Sequence, residues 1–350
     1  MTNLLRLDRK FLPLLMTIVL FILLYGYGVV QYRGFSNPQV FFNLFIDNAF
    51  LLITSIGMTF VILSGGIDLS VGAVIAFTTV LSAYMLESLG LSPALVIPAV
   101  LLVGVALGAV MGSIIHFFKV QPFIVTLAGM FFARGMCFVI STGAITISDP
   151  FYRAVGLFRI PLFGKTFISV NVAIFLVVLA VALYLAHFTR FGRTVYAIGG
   201  NEQSALLMGL PVARTRVLVY TLNGFCSALA GVVFSIYGLS GYGLYTVGLE
   251  MDAIASVVIG GTLLTGGVGY VAGTVVGVLI QGLIQTTIIF QGTLSSWWTK
   301  IAVGLLTLLF IMMQGAFAST RQRRLHLKAT TGTKPASQEE GAVLATHYEL

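Results

Sequence analysis

Ser64-Gly65-Gly66-Ile67-Asp68-Leu69-Ser70-Val71-Gly72 joins two long apolar runs, residues 50–63 ahead of it and 73–86 behind it. Each run reads as membrane-spanning helix, a setting in which an aspartate is costly unless it faces water, a partner or a protein interior. The glycines permit backbone turns that residues with a Cβ resist. A charged hinge between two spans is either a loop at the membrane surface or part of a transport path. Both readings make the chain a membrane protein with a role beyond anchoring.

Composition extends that reading to the whole chain. Of 350 residues, 58% are hydrophobic and 9% charged, with a mean hydropathy of +1.03. A soluble domain carries about 25% charged residues. Most of this surface must therefore face lipid, and the expected fold is an all-α, polytopic integral membrane protein. Cys137 and Cys226 both sit inside apolar runs, without His or Cys at metal-ligand spacing, which argues against a disulfide framework and against a zinc site. Arg6, Arg9 and Lys10 precede the apolar run 11–30, and no small-residue cleavage site follows it, the pattern of an uncleaved first span.

At about 20 apolar residues per crossing, ten segments emerge: 11–30, 44–63, 71–87, 93–115, 122–141, 167–187, 217–237, 253–265, 271–290 and 299–317. The eighth is short because Gly260-Gly261-Thr262 and Gly266-Gly267 interrupt it. With both termini inside, inner segments hold thirteen Lys and Arg and outer segments five, with Arg134 inside a span. That asymmetry is the positive-inside pattern, so the net charge of +8 is a topology signal and not a nucleic-acid footprint. The organisation expected is a cytoplasmic N-terminus at 1–10, a transmembrane region at 11–317 with a long cytoplasmic loop at 188–216, and a disordered polar tail at 318–350.

That inner loop, RFGRTVYAIGGNEQSALLMGLP at 190–211, carries a short helix signature. Asn201 suits an N-cap, Glu202 and Gln203 open the helix, and Gly209 suits a C′ stop before Pro211. Ser204, Ala205, Leu206, Leu207 and Met208 complete it, and Ala205, Leu206 and Met208 give it an apolar surface. Such a helix either docks into a groove on a soluble partner or lies on the inner leaflet. Glycines recur at four-residue spacing in Gly104, Gly108 and Gly112, and again in Gly269, Gly273 and Gly277, rows that let helices approach closely. The second row continues into Gln281 and Gln285, which line a polar path or bond between helices. Asp47, Asn48, Arg134, Asn171 and Asn223 are the other polar groups placed within spans, each a functional candidate by default or a structural pairing.

Energy for transport is not legible in the chain itself. Gly164-Lys165-Thr166 resembles the end of a phosphate loop, but the pattern needs glycine at the position of Arg159. The stretch GVGYVA at 267–272 lacks a preceding strand. No Ser/His/Asp, HExxH or paired-carboxylate arrangement stands at a fixed spacing, so no enzyme activity is expected.

Three stretches resemble one family: GMTFVILSGGIDLSVG at 57–72, GGNEQSALLMG at 199–209 and EMDAIASVVIGGTLLTGGVG at 250–269 are similar to the ribose-type membrane permeases of bacterial ABC sugar importers. More narrowly, GLIQTTI at 282–288 and GTLSSWWTK at 292–300 are similar to the second permease of galactofuranose importers. The resemblance implies a bacterial inner-membrane permease that pairs with a second, identical or different, permease subunit. It further implies a periplasmic sugar-binding protein on the outer face and ATP-binding subunits on the inner face. ATP and Mg would then be used by the partner ATPase, with no cofactor bound by this chain. By the same resemblance residues 201–209 become the ATPase-coupling helix. Asp47, Asn48, Arg134, Asn223, Gln281 and Gln285 remain candidates for the translocation path. Gly65, Gly66 and Gly72 are expected to bend the chain near the inner face, with Asp68 capping the next helix. If the second span breaks early, the motif instead re-enters the membrane. An alternative from another class is a stand-alone secondary transporter coupled to ions through Asp47, Asp68 or Arg134.

Overall fold

The computed structural model of the chain describes residues 12–295 and 297–331. In chain order the elements are α1 (Leu12–Gln31), α2 (Pro38–Asp47), α3 (Ala49–Leu63), α4 (Val71–Glu87), α5 (Pro93–Phe117), α6 (Pro122–Ile140) and β1 (Ile145–Thr146). There follow α7 (Pro150–Leu157), β2 (Arg159–Pro161), β3 (Phe167–Ser169), α8 (Val170–Phe188), α9 (Arg190–Gly200), α10 (Glu202–Leu207) and α11 (Val212–Gly238). The remainder is β4 (Ser240–Gly241), α12 (Leu249–Ile259), α13 (Val271–Gln291) and α14 (Trp297–Thr331). The strands form two small antiparallel pairs, β1 with β4 and β2 with β3.

Each of the ten expected segments contains a helix, but not all are full crossings. Among the described residues, seven helices are long and apolar enough to cross a membrane: α1, α5, α6, α8, α11, α13 and Trp297–Gln314 of α14. The pair α2 and α3, which bend by 58° at their junction, makes an eighth if the two are counted as one broken span. The segment expected to begin at residue 44 thus begins at Pro38 and breaks at Asn48. There the Asn48 amide donates to the Leu44 carbonyl (2.9 Å), competing with the helical ladder. Gly282 on α13 leaves the room, since a Cβ there would lie 2.5 Å from Asn48 Nδ2. α4 is shorter, at 17 residues, and α12 has 11.

α3 forms the centre: every residue in it except Phe50 is buried, against α8, α11, α12 and α13. The longest partner surface is α5 against α11. Cβ atoms on Gly104 and Gly108 would overlap Ala228 and the Tyr220 carbonyl, so the first glycine row is a packing seam. In the second row Gly273 and Gly277 face the Gly260 and Ser256 carbonyls of the α12 region in the same manner. Contacts divide the chain between Thr307 and Leu308. The second part is, as far as Thr331, helical backbone of α14. Residues 1–11 and 332–350, which include the expected N-terminus and most of the expected tail, lie outside the described residues.

Candidate functional site

At the end of α3 the chain reverses. Ser64 donates its hydroxyl to the Val61 carbonyl (2.8 Å), Gly65 adopts φ +78°, and residues 66–70 run back into the bundle before α4 begins. Asp68 is only 1% exposed. One of its carboxylate oxygens accepts from the Ser70 N–H (2.8 Å) and the Ser70 hydroxyl (2.6 Å). The other accepts from Asn223 Nδ2 (2.8 Å). Asn223, fully buried, is the twelfth residue of α11, about 16 Å along that helix from its first residue. A buried carboxyl is costly unless it is hydrogen-bonded, and here three donors reach its two oxygens.

This arrangement corrects the surface-hinge expectation. The motif does not stop at the end of the bundle; it re-enters, and Asp68 sits against the middle of α11. Ser70, not Asp68, is the residue at the N-cap of α4. Gly66 and Gly72 take no left-handed φ, although the Gly66 N–H closes the turn by donating to the Val61 carbonyl (3.0 Å). A Cβ on Gly66 would overlap the Tyr220 hydroxyl, and one on Gly72 would lie 2.5 Å from Glu250 Oε2 and 2.6 Å from the Thr246 carbonyl. Both are sites of close approach; only Gly65 supplies a left-handed turn. Thr246 also donates its hydroxyl to the Gly72 carbonyl (2.7 Å), so the loop between β4 and α12 reaches the first turn of α4.

The other polar candidates do not gather at one place. Arg134 is paired structurally with backbone carbonyls: it donates to Gly243 and Tyr245 (2.8 Å) and so holds that same loop. Gln281 donates to the Asp252 carbonyl (3.0 Å), and Asp252 pairs with Lys300. Asp47 accepts from the Tyr237 hydroxyl (3.1 Å). Asn48 serves the bend, and Gln285 faces outward. Of the six path candidates, only Asn223 joins Asp68.

At the end of the bundle that carries Arg190, Arg193, Arg214 and Arg216, which we call the basic end, the short helices follow the local signals. Asn201 caps α10 by accepting from the Ser204 N–H (2.8 Å), Gly209 takes φ +72°, and Glu202 pairs with Arg216 at 2.8 Å. Ala205 is buried against Ile198 and Val212, which fastens the helix. Leu206, Leu207 and Met208 point outward at 51%, 89% and 66% exposure. Gln203 and Ser204 are exposed beside them.

α10 hangs from a junction of glycine pairs. The Gly267 N–H donates to the Leu63 carbonyl at the end of α3 (2.9 Å). A Cβ on Gly199 would overlap both the Leu63 oxygen and the Gly267 nitrogen, and one on Gly266 would lie 2.8 Å from the Gly65 nitrogen. Thus Gly65-Gly66, Gly199-Gly200 and Gly266-Gly267, one pair from each of the three signature stretches, meet backbone to backbone. Tyr196 on α9 closes the junction by donating to the Gly269 carbonyl (2.9 Å). Burial pushes the Tyr196 hydroxyl up to about 12, so it stays a donor across the physiological range. Tyr196→Phe is expected to cost about 1 kcal/mol, read as a lower unfolding midpoint in detergent; an unchanged midpoint would mean that this bond contributes nothing. Neither Tyr196 nor Tyr220 was singled out from the sequence. The repeated glycine doublets were the signal that could have linked the three stretches.

Among the described residues, no group of three or more His, Cys, Asp or Glu is placed to hold a metal ion. Residues 40–312 match the family described as branched-chain amino acid transport system / permease component. The chain is 53% identical over 306 residues to the inner membrane ABC transporter permease protein YjfF of Escherichia coli K12, covering 87% of this chain and 92% of that one. It is 40% identical over 317 residues to the fructose import permease protein FruG of Bifidobacterium longum, covering 89% and 93%. It is 38% identical over 283 residues, 80% of this chain and 86% of the other, to the ribose import permease protein RbsC of Bacillus subtilis. No solved structure matches. These relatives are transport subunits, so this chain is a permease component and not itself an enzyme. With its fold, its three converging signature stretches and a match over most of its length, the chain belongs to the branched-chain amino acid transport system permease family, in the ribose-type class of ABC importer permeases, and is a multi-pass inner-membrane protein.

Proposed function

We propose that the chain forms the translocation path for a monosaccharide in an ABC importer, paired with a second permease and driven by ATP and Mg in separate ATP-binding subunits. A periplasmic binding protein delivers the sugar at the end opposite the basic one. α10 is the coupling helix. The observation that carries this reading is its construction: one face is fastened through Ala205 and the Glu202–Arg216 pair, while Leu206, Leu207 and Met208 stand exposed, a pattern suited to a groove on a soluble partner. Force on α10 reaches α9, then the glycine junction, then the end of α3 and the re-entrant Asp68 segment beside α11. Relatives named for ribose and fructose import support a monosaccharide cargo. The stretches at 282–288 and 292–300 support galactofuranose as that sugar.

Replacing residues 202–208 with a Gly/Ser linker is expected to abolish co-purification of the ATP-binding subunits while membrane insertion stays intact. Leu207→Asp alone should weaken that association at least ~10-fold, which is about 1.4 kcal/mol. Normal co-purification after the linker replacement would refute the coupling assignment. ATP-dependent uptake of galactofuranose, ribose and fructose by the reconstituted complex then decides the cargo. Uptake by the chain alone, driven by an ion gradient, would overturn the ABC reading.

A further inference from the structure

Between α3, α8 and α11 lies a groove of about 400 Å³ lined by apolar side chains alone, among them Phe60, Val178, Val181, Leu185, Phe225 and Cys226. A sugar does not suit it, because its hydroxyls would find no hydrogen-bond partner there. On α8 the lining runs from Ile174 to Leu185, about 16 Å of helix, close to half of the ~30 Å hydrocarbon thickness of a bilayer. The end of the groove at Leu185 is also the end nearest α9. The Phe191 ring lies 5.9 Å from that of Phe60, and Arg190 and Arg193 flank Phe191 on the same helix. Both arginines are exposed, and among the described residues neither guanidinium makes an ion pair or hydrogen bond. Three residues apart on a helix, they share a face.

We propose that this groove binds the acyl chain of an anionic phospholipid, with Arg190 and Arg193 at its mouth holding the headgroup. The lining supplies the apolar fit for one chain, and the two unpaired cations supply the charge complement, each Lys or Arg near an anionic leaflet being attracted to it. The site stands apart from the sugar-import reading: it requires only that the helices span a bilayer and that the basic end meets its surface.

The test places a fluorescent reporter in the groove. The full chain carrying Val178→Trp, with Trp297 and Trp298 changed to Phe, is reconstituted in phosphatidylcholine bilayers. Phosphatidylglycerol or phosphatidylcholine with brominated chains is then added in steps. Half-maximal quenching is expected at a mole fraction at least ~5-fold lower for phosphatidylglycerol, and Arg190→Gln with Arg193→Gln should remove the difference. A tryptophan at Val110, an exposed position on α5, should show no such preference. Equal quenching by the two lipids at position 178 would overturn the proposal by making the groove ordinary lipid contact. No quenching by either would overturn it by showing the groove covered by a second copy or another protein. Val181→Trp serves as a second reporter should the first variant not fold.

Discussion

Gly199→Ala is expected to destabilise the protein by about 3 kcal/mol and to abolish transport, while Gly200→Ala leaves both unchanged. The two glycines are neighbours of the same composition, so propensity does not separate them. Their surroundings do. A methyl group on Gly199 overlaps the Leu63 carbonyl and the Gly267 amide, whereas one on Gly200 meets nothing within 4 Å. Those two backbone groups are bonded to each other (2.9 Å) and cannot part without losing that bond. Relief therefore requires α9 to move away from the end of α3, and overpacking of this kind costs about 1–3 kcal/mol, here at the upper end because both obstacles are backbone. Chemical unfolding in detergent and uptake by the reconstituted complex read the two effects separately. Equal behaviour of the two alanine variants would dissolve the junction as a mechanical element.

The second large effect concerns Asp68. Asp68→Ala leaves the Ser70 N–H, the Ser70 hydroxyl and the Asn223 amide, all buried, without that acceptor. Each orphaned donor costs about 1–3 kcal/mol, and removal of one side of a buried charged network costs about 3–5 kcal/mol. Asp68→Asn is expected to be much milder. Its carbonyl oxygen keeps the Ser70 bonds, and its new amide is met when Asn223 flips to present Oδ1, an atom that has no partner in the native arrangement. Asn223→Asp should be as damaging as Asp68→Ala, since it sets two carboxylates face to face. Unfolding midpoints of the three variants give the order. If Asp68→Asn falls with the alanine variant, the charge of Asp68 matters beyond its hydrogen bonds, and its three donors do not explain its burial.

Much of the fold was legible because lipid imposes simple demands. Length and hydropathy located a helix in every expected segment, and the cap at Asn201 and the stop at Gly209 follow from local chemistry alone. What was not legible depends on chain reversal. Apolarity does not tell a full crossing from a shorter helix that starts inside the bundle, such as the 17-residue α4, which is why the Asp68 segment was expected at the surface. Asn48 read as a polar group within a span and a candidate for the translocation path; its place at the 58° bend depends on Gly282, far away in sequence. Gly72 resembled a hinge because glycine often is one, yet its constraint comes from Thr246 and Glu250 on another element. The candidate site divides in the same way. α10 was readable residue by residue, whereas the junction beneath it is made of backbone atoms from three distant segments, which leave no periodicity to detect.

The bond between Asp68 and Asn223 also has a history. The two residues are 155 positions apart, and at a synthesis rate of about 5–20 residues per second the aspartate is made roughly 8–31 s before its amide partner. α4 (Val71–Glu87) is made early in that interval, whereas α11 (Val212–Gly238), which packs on both α3 and α4, begins only at its end. The core of this protein is therefore among the last parts of it to be completed, and the nascent chain must be sheltered until then. A cell that inspects new membrane proteins for unpaired charge can pass or reject this one only after about two thirds of it has been translated.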